Sequence, residues 1–174
     1  MVDKSMIPDY RVRSILDITP ADLKKIGVKL AAIDADNTIV YDNTLRYIPD
    51  IEKWIENMKK SGIEVVIVSN ASPRRAWKMS RKLGVTAYGA CFKPSPRGLL
   101  RAAKKYNVNI GEVAMIGDQL LSDVKSASRC GAISIKTDLI EKEIRFAKTY
   151  ENRRKREKET MDEINRTKGY GFDD

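Results

Sequence analysis

Four short apolar runs that alternate with amphipathic segments constrain the fold of this 174-residue chain most strongly. The runs occupy residues 28–33, 63–68, 113–116 and 132–135. Short uninterrupted apolar runs are typical of parallel strands that are covered on both faces. Because they alternate with helical patterns, the chain is predicted to form a three-layer α/β fold around a mainly parallel sheet with right-handed crossovers.

The spacing of apolar residues predicts four helices between these runs and a fifth after them. The first four lie near residues 49–61, 73–83, 97–106 and 122–129. Residues 151–160 contain no apolar side chain, so a long charged helix over 139–168 is expected to leave the body and fray beyond 169. We therefore predict one domain over 1–138 and a helical extension over 139–174.

Histidine is absent, which excludes serine–histidine and cysteine–histidine hydrolases and histidine zinc sites. Cys91 and Cys130 form no CxxC motif and are expected to be reduced thiols. The first residues lack the apolar stretch of a signal peptide, and no apolar run approaches the ~20 residues that span a bilayer. These observations favour a cytoplasmic protein whose chemistry depends on carboxylates, hydroxyls, lysines and a metal ion.

Positive charge is concentrated in one part of the chain. The formal net charge is +9, yet residues 65–111 contain ten lysines and arginines and no acidic residue. Such a segment attracts anions, so we expect a phosphate-rich partner. Three of these residues follow the second apolar run closely and are candidates for an anion-binding patch, namely Arg74, Arg75 and Lys78.

Polar side chains follow the apolar runs at the points where parallel strands would converge. Asp34, Asp36 and Asn37 follow the first run, whereas Ser69 and Asn70 follow the second. Lys93 lies in a proline-rich turn, and two further acids, Asp118 and Asp123, follow the third run. The carboxyl ends of strands in an open parallel sheet share one crevice, so these groups are expected to form one site.

This set of groups suits phosphoryl transfer. The Asp34 carboxylate can attack phosphorus and form an aspartyl-phosphate, while Asp36 acts as general acid and then as general base. Ser69 and Lys93 can stabilise the phosphoryl oxygens. Oxygen ligands without histidine or thiolate indicate Mg²⁺ as the cofactor.

The motifs DADNT, VIVSN, KP and GDQLLSD resemble those of the haloacid dehalogenase superfamily of phosphatases over about residues 28–136. Together with the residues that precede them, from about residue 8, they resemble the YqeG-like group of subfamily IIIA. That group is similar to the mitochondrial phosphatidylglycerophosphate phosphatase. The resemblance implies a Rossmann-like fold, no large cap domain, and dephosphorylation of phosphatidylglycerophosphate.

The resemblance also implies a role for each matched residue. Asp34 would be the nucleophile and a magnesium ligand, and Asp36 would be the acid and base with its main-chain carbonyl on the metal. Asp118 would be a direct magnesium ligand, and Asp123 would support the metal or pair with Lys93. Ser69, Lys93 and Asn70 would bind phosphate, and Asn37 would orient the loop.

The intervals 39–68 and 70–92 are too short for an inserted cap domain, so the site should be open to a large substrate such as a lipid headgroup. Peripheral contact with an anionic membrane is a corollary, although residues 6–16 are expected to pack on the body. Three alternatives stay open. They are a phosphatase for another substrate, a non-catalytic receiver-like module, and a nucleic-acid-binding module. The receiver is disfavoured because the DxD pair follows the first predicted strand, and no RNA-binding motif supports nucleic acid.

Overall fold

The computed structural model describes residues 3–140 and 148–172. Six strands form one sheet: β1 (Tyr10–Val12), β2 (Leu30–Ile33), β3 (Glu64–Val68), β4 (Thr86–Tyr88), β5 (Val113–Gly117) and β6 (Ile133–Thr137). Their spatial order is β1-β6-β5-β2-β3-β4 and every pairing is parallel. The predicted parallel α/β sheet is confirmed.

Helices connect the strands: α1 (Pro20–Lys25), α2 (Ile51–Lys60), α3 (Pro73–Leu83), α4 (Arg97–Tyr106), α5 (Lys125–Ser128) and α6 (Lys148–Thr167). The predictions for α2, α3 and α4 are confirmed. The segment predicted as a helix over 122–129 instead begins with a π-helical turn, Leu120–Val124, that leads into the short α5. None of the helices in the described ranges could span a membrane.

The sheet is covered on both faces, as its unbroken apolar strands predicted. One core lies between the sheet and the helices α2 and α3, and it contains Trp54 and Met79. The other lies under α4 and α5, and it contains Leu99 and Met115. Because both faces are buried, the open part of the sheet is the edge where its strands end, and β2 and β5 lie at the centre of that edge.

The N-terminal residues pack on the body, as predicted. Met6, Val12 and Ile15 are buried, and β1 extends the sheet beside β6. The sequence interpretation missed β1, α1 and β4. As a consequence, Asp34 follows the second strand of the chain and not the first, which corrects the argument used against a receiver module.

The C-terminal part of the chain does not leave the body within the described residues. Ile164 of α6 is fully buried beside Met6 and Leu120. The main-chain N–H of Gly171 donates a hydrogen bond to the Arg11 carbonyl at 2.7 Å, and Phe172 packs against Tyr10. The expected departure and fraying are therefore wrong, because a few apolar side chains hold the charged helix in place. Residues 141–147, which the prediction included in the long helix, lie outside the described residues.

Candidate active site

The sheet places the predicted polar residues at one end of its central strands. Asp34 directly follows β2, and its N–H donates to the Ile116 carbonyl of β5 at 2.9 Å. Ser69 directly follows β3, and Asp118 directly follows β5. All three side chains are buried, so the crevice that the sequence predicted is present.

Lys93 connects two of the acidic residues. Its ammonium group donates to the Asp34 Oδ1 and to the Asp123 Oδ1, each at 2.6 Å. The Lys93 side chain is 2% exposed and the two carboxylates are 7% and 1% exposed. The second Asp123 oxygen accepts a hydrogen bond from the Gln119 N–H at 3.0 Å. Lys93 and Asp123 thus form a braced pair beside Asp34, as the resemblance implied.

Asp34, Asp118 and Asp123 form a compact carboxylate group. One oxygen from each lies within 4.8 Å of the others. The Asp118 Oδ2 is buried and has no hydrogen-bond partner among the described residues, while its Oδ1 accepts a 3.4 Å bond from Thr38. An orphaned oxygen within a set of buried carboxylates fits a hard divalent cation. The Asp36 carboxylate does not belong to this group.

The pKa shifts of the buried ionisable residues also favour a bound cation. Burial raises the pKa of Asp34 to about 7, although the charge of Lys93 opposes the shift. Burial and the charges of Asp123 and Asp34 raise the pKa of Asp118 well above its ordinary value. Burial lowers the pKa of Lys93, but the two neighbouring carboxylates outweigh burial and raise it overall. The three carboxylates outnumber the ammonium group of Lys93 that pairs with them, and a divalent ion would supply further positive charge.

Ser69 and Asn70 are arranged differently from each other. The Ser69 hydroxyl accepts a bond from the Ala71 N–H at 3.0 Å, and its own proton has no acceptor among the described residues, so it is free to bind a phosphoryl oxygen. Asn70 accepts from the Lys93 N–H at 2.7 Å and donates to the Lys93 carbonyl at 3.2 Å. Asn70 therefore braces the Lys93 loop, and its predicted contact with phosphate stays a prediction.

Asp36 is held by an arginine at the mouth of the site. Arg75 donates to both Asp36 oxygens at 2.7 Å, and the Asn43 N–H donates to one of them at 2.7 Å. Arg75 also donates to the Thr44 carbonyl. The sequence interpretation placed Arg75 in an anion-binding patch and missed this pairing with the proposed general acid.

The other two members of the predicted patch, Arg74 and Lys78, are exposed on α3. Two large apolar side chains are also exposed nearby in the chain. Trp77 lies at helical spacing, which favours packing in the core, but it is 63% exposed, and Phe92 is 78% exposed. Phe92 directly precedes Lys93 and has a left-handed backbone with φ of 51°.

Two further polar residues that are buried, Asn37 and Lys136, follow or belong to strands of the sheet. Asn37, predicted to orient the loop, is buried with φ of 58° and an unpartnered Oδ1. Lys136 on β6 was missed. Burial lowers its pKa, against the opposing charge of Asp118. The sequence could have indicated this residue, because Lys136 directly follows the apolar run 132–135, as Asp34 and Ser69 follow theirs. In the structure its neighbour across the sheet is Gly117 of β5, which directly precedes Asp118.

Comparison with known proteins gives consistent matches. A family model described as haloacid dehalogenase-like hydrolase matches residues 20–131. The chain is 37% identical over 131 residues to the probable phosphatase YqeG of Bacillus subtilis, covering 75% of this chain and 76% of that protein. It is 29% identical over 110 residues to the glyceraldehyde 3-phosphate phosphatase of Pyrococcus furiosus, and it covers 46% of that relative, about half of its length.

Solved structures share the fold at low sequence identity. The 3-deoxy-D-manno-octulosonate 8-phosphate phosphatase of Moraxella catarrhalis, in complex with magnesium and phosphate ions, superposes with a TM-score of 0.50 at 18% identity, covering 70% of this chain and 84% of that one. The cobalt-bound YrbI phosphatase of Haemophilus influenzae gives a TM-score of 0.53 at 17% identity, with coverages of 66% and 70%. These similarities show a common architecture.

Proposed function

The chain belongs to the haloacid dehalogenase-like hydrolase family and is a phosphatase. We propose that it depends on magnesium and that it hydrolyses phosphatidylglycerophosphate to phosphatidylglycerol. The observation that carries the proposal is the buried Asp34, which lies at the end of a central strand within reach of Lys93 and two other carboxylates. An aspartate placed in this way can act as a nucleophile toward phosphorus.

In the proposed reaction an Asp34 oxygen attacks phosphorus, and the bond between phosphorus and the leaving oxygen breaks with its electron pair going to that oxygen. Asp36 donates a proton to the leaving oxygen. Ser69 and Lys93 donate hydrogen bonds to the phosphoryl oxygens. Asp36 then accepts a proton from the water that hydrolyses the aspartyl-phosphate, and free Asp34 and inorganic phosphate result.

The carboxylates of Asp34 and Asp118 and the main-chain carbonyl of Asp36 would hold the magnesium ion, and Asp123 would support it. The orphaned Asp118 oxygen and the shortage of positive charge support this assignment. A bound divalent ion supplies the charge that reduces repulsion between the carboxylates and a phosphate.

The lack of an inserted domain over residues 39–50 and a basic surface support a lipid substrate. Residues 39–50 contain only turns and isolated bridges and no inserted domain. The exposed cations Arg74 and Lys78 and the exposed rings of Trp77 and Phe92 combine charge with apolar surface, which suits peripheral contact with an anionic membrane. A small phosphate ester is the competing substrate class, because one relative is a glyceraldehyde 3-phosphate phosphatase.

A phosphatase screen tests the activity and the substrate together. We expect hydrolysis of p-nitrophenyl phosphate, loss of activity with EDTA, recovery with Mg²⁺, and the highest kcat/KM on short-chain phosphatidylglycerophosphate among sugar phosphates, nucleotides and phosphopeptides. Asp34→Asn should lower kcat about 10⁴-fold or more, whereas Asp162→Asn on the exposed surface of α6 should not. Activity that survives Asp34→Asn would reject Asp34 as the nucleophile.

Flotation with liposomes tests membrane contact. We expect the chain to float with vesicles that contain anionic lipid at low salt, less so at high salt because the attraction is screened. Trp77→Ser should weaken flotation, and Leu139→Ser, which also removes an exposed apolar side chain, should not. Absence of flotation at low salt would reject the docking proposal.

A further inference from the structure

Arg75 joins three parts of the site mouth. It belongs to the first turn of α3, and its side chain is 15% exposed. The guanidinium donates to both Asp36 oxygens at 2.7 Å, and its Nε donates to the Thr44 carbonyl at 3.1 Å. The loop that contains Thr44 is thereby tied to α3 across the residues that follow β2.

This arrangement cannot persist while a substrate reacts. The Asp36 oxygens accept three N–H bonds, two from Arg75 and one from Asn43. To contact a leaving oxygen in its proposed role, Asp36 must give up bonds to Arg75. The guanidinium would then lie at the mouth, on the leaving-group side, with two or more donors unpaired.

A partly buried arginine with unpaired donors is costly, and an anion that presents two acceptor oxygens, such as a carboxylate or a phosphate group, fits its fork. The helix segment that carries Arg75 offers no acid in place of Asp36, because residues 65–111 contain none. An anionic group on the substrate could replace Asp36 as the partner of Arg75 as Asp36 turns toward the leaving oxygen.

We infer that Arg75 is a specificity-determining residue that binds a second anionic group of the substrate, a phosphodiester or a carboxylate attached to the leaving group. The inference rests on the proposed phosphatase function and narrows its substrate class. Esters with one charged group would be poorer substrates because they carry no second anion to replace Asp36 beside Arg75. Phosphatidylglycerophosphate satisfies the requirement through its phosphodiester.

Three soluble esters show whether a second anionic group matters and which kind of anion Arg75 binds. Glycerol 3-phosphate carries only the reacting phosphate. 3-Phosphoglycerate adds a carboxylate on the same three-carbon skeleton, and deacylated phosphatidylglycerophosphate adds a phosphodiester. The wild type should prefer at least one two-anion ester about tenfold or more over glycerol 3-phosphate, and the better of the two identifies the anion.

Substitution of Arg75 should remove that preference. Arg75→Gln should lower kcat/KM for the preferred two-anion ester about 10- to 100-fold more than for glycerol 3-phosphate, mainly through KM. Arg75→Lys should restore part of the difference because it keeps the charge but not the fork. The control Arg81→Gln, on the exposed face of the same helix, should change all three esters alike.

Equal losses on all esters would overturn the inference, because Arg75 would then only position Asp36. The inference would also be overturned if the wild type did not prefer a two-anion ester over glycerol 3-phosphate, or if Arg75→Gln kept that preference. The preference can also be measured without turnover. Calorimetric titration of the three esters into Asp34→Asn, with and without Arg75→Gln, gives the ratios of their dissociation constants. Failure of hydrolysis would count against the proposed function, and only the ratios decide the role of Arg75.

Discussion

Loss of Lys93 should destabilise the folded protein strongly in the absence of metal. Its ammonium lies 2.6 Å from oxygens of Asp34 and Asp123, and all three side chains are buried. Lys93→Met keeps most of the aliphatic stem and removes the charge, which leaves the carboxylates unpaired. Removing one partner of a buried ion pair costs about 3–5 kcal/mol. At about 2–4 °C per kcal/mol for a chain of this size, Tm should fall by roughly 6–20 °C at pH 8.

The loss should depend on pH in a defined direction. The pKa of Asp34 is raised from 3.8 to about 7 in the folded state, so the folded state binds more protons than the unfolded state between these values. Stability therefore falls as the pH rises through this window. The charge of Lys93 lowers the pKa of Asp34, so without it the carboxyl is more readily protonated. The variant should lose less stability at pH 5 than at pH 8.

Thermal unfolding in EDTA, followed by circular dichroism at pH 5 and pH 8, measures both effects. Lys82→Met is the matched control, because Lys82 and Glu52 form an exposed pair on the surface and such pairs contribute little. The reasoning would be refuted by equal shifts for the two variants at pH 8, or by a larger shift for Lys93→Met at pH 5.

Three further substitutions test other parts of the structure. A Cβ at Gly117 would collide with the Asp123 carboxylate, so Gly117→Ala should lower kcat more than tenfold by a general misplacement of the site, whereas Gly111→Ala, which meets open space, should leave kcat unchanged. Asp36→Asn should lower kcat about 10²- to 10⁴-fold, and an unchanged kcat would exclude Asp36 as the acid. Ile164→Ala should lower the free energy of unfolding by about 2–5 kcal/mol because Ile164 is fully buried, and a neutral result in denaturant titration would contradict the packing of α6.

The central strands β2, β3 and β5 were predictable because each contains four consecutive apolar residues, a pattern typical of a strand that is covered on both faces. β1 and β4 were missed because each has only three residues, and Tyr10–Val12 and Thr86–Tyr88 include polar side chains. The location of Asp34, Ser69 and Asp118 followed from chain order alone, since parallel strands end at one edge.

The contact between Arg75 and Asp36 was not predictable, because it joins residues 39 positions apart and depends on how the Asn43–Thr44 turn folds. The return of the C-terminal segment was missed for a related reason. Ile164 and Phe172 are isolated apolar residues in a charged stretch, and only their partners in three dimensions show what they anchor.

The bond from Gly171 to Arg11 matters beyond the packing of α6. β1 is an outer strand, and outer strands with vacant amide and carbonyl groups act as templates for pairing between molecules. Residues 170–172 return to the sheet, and the main chain of Gly171 covers part of the open edge of β1. Shortening the protein at residue 138 would strip this protection, and the trimmed molecule should self-associate even if its catalytic cleft were intact.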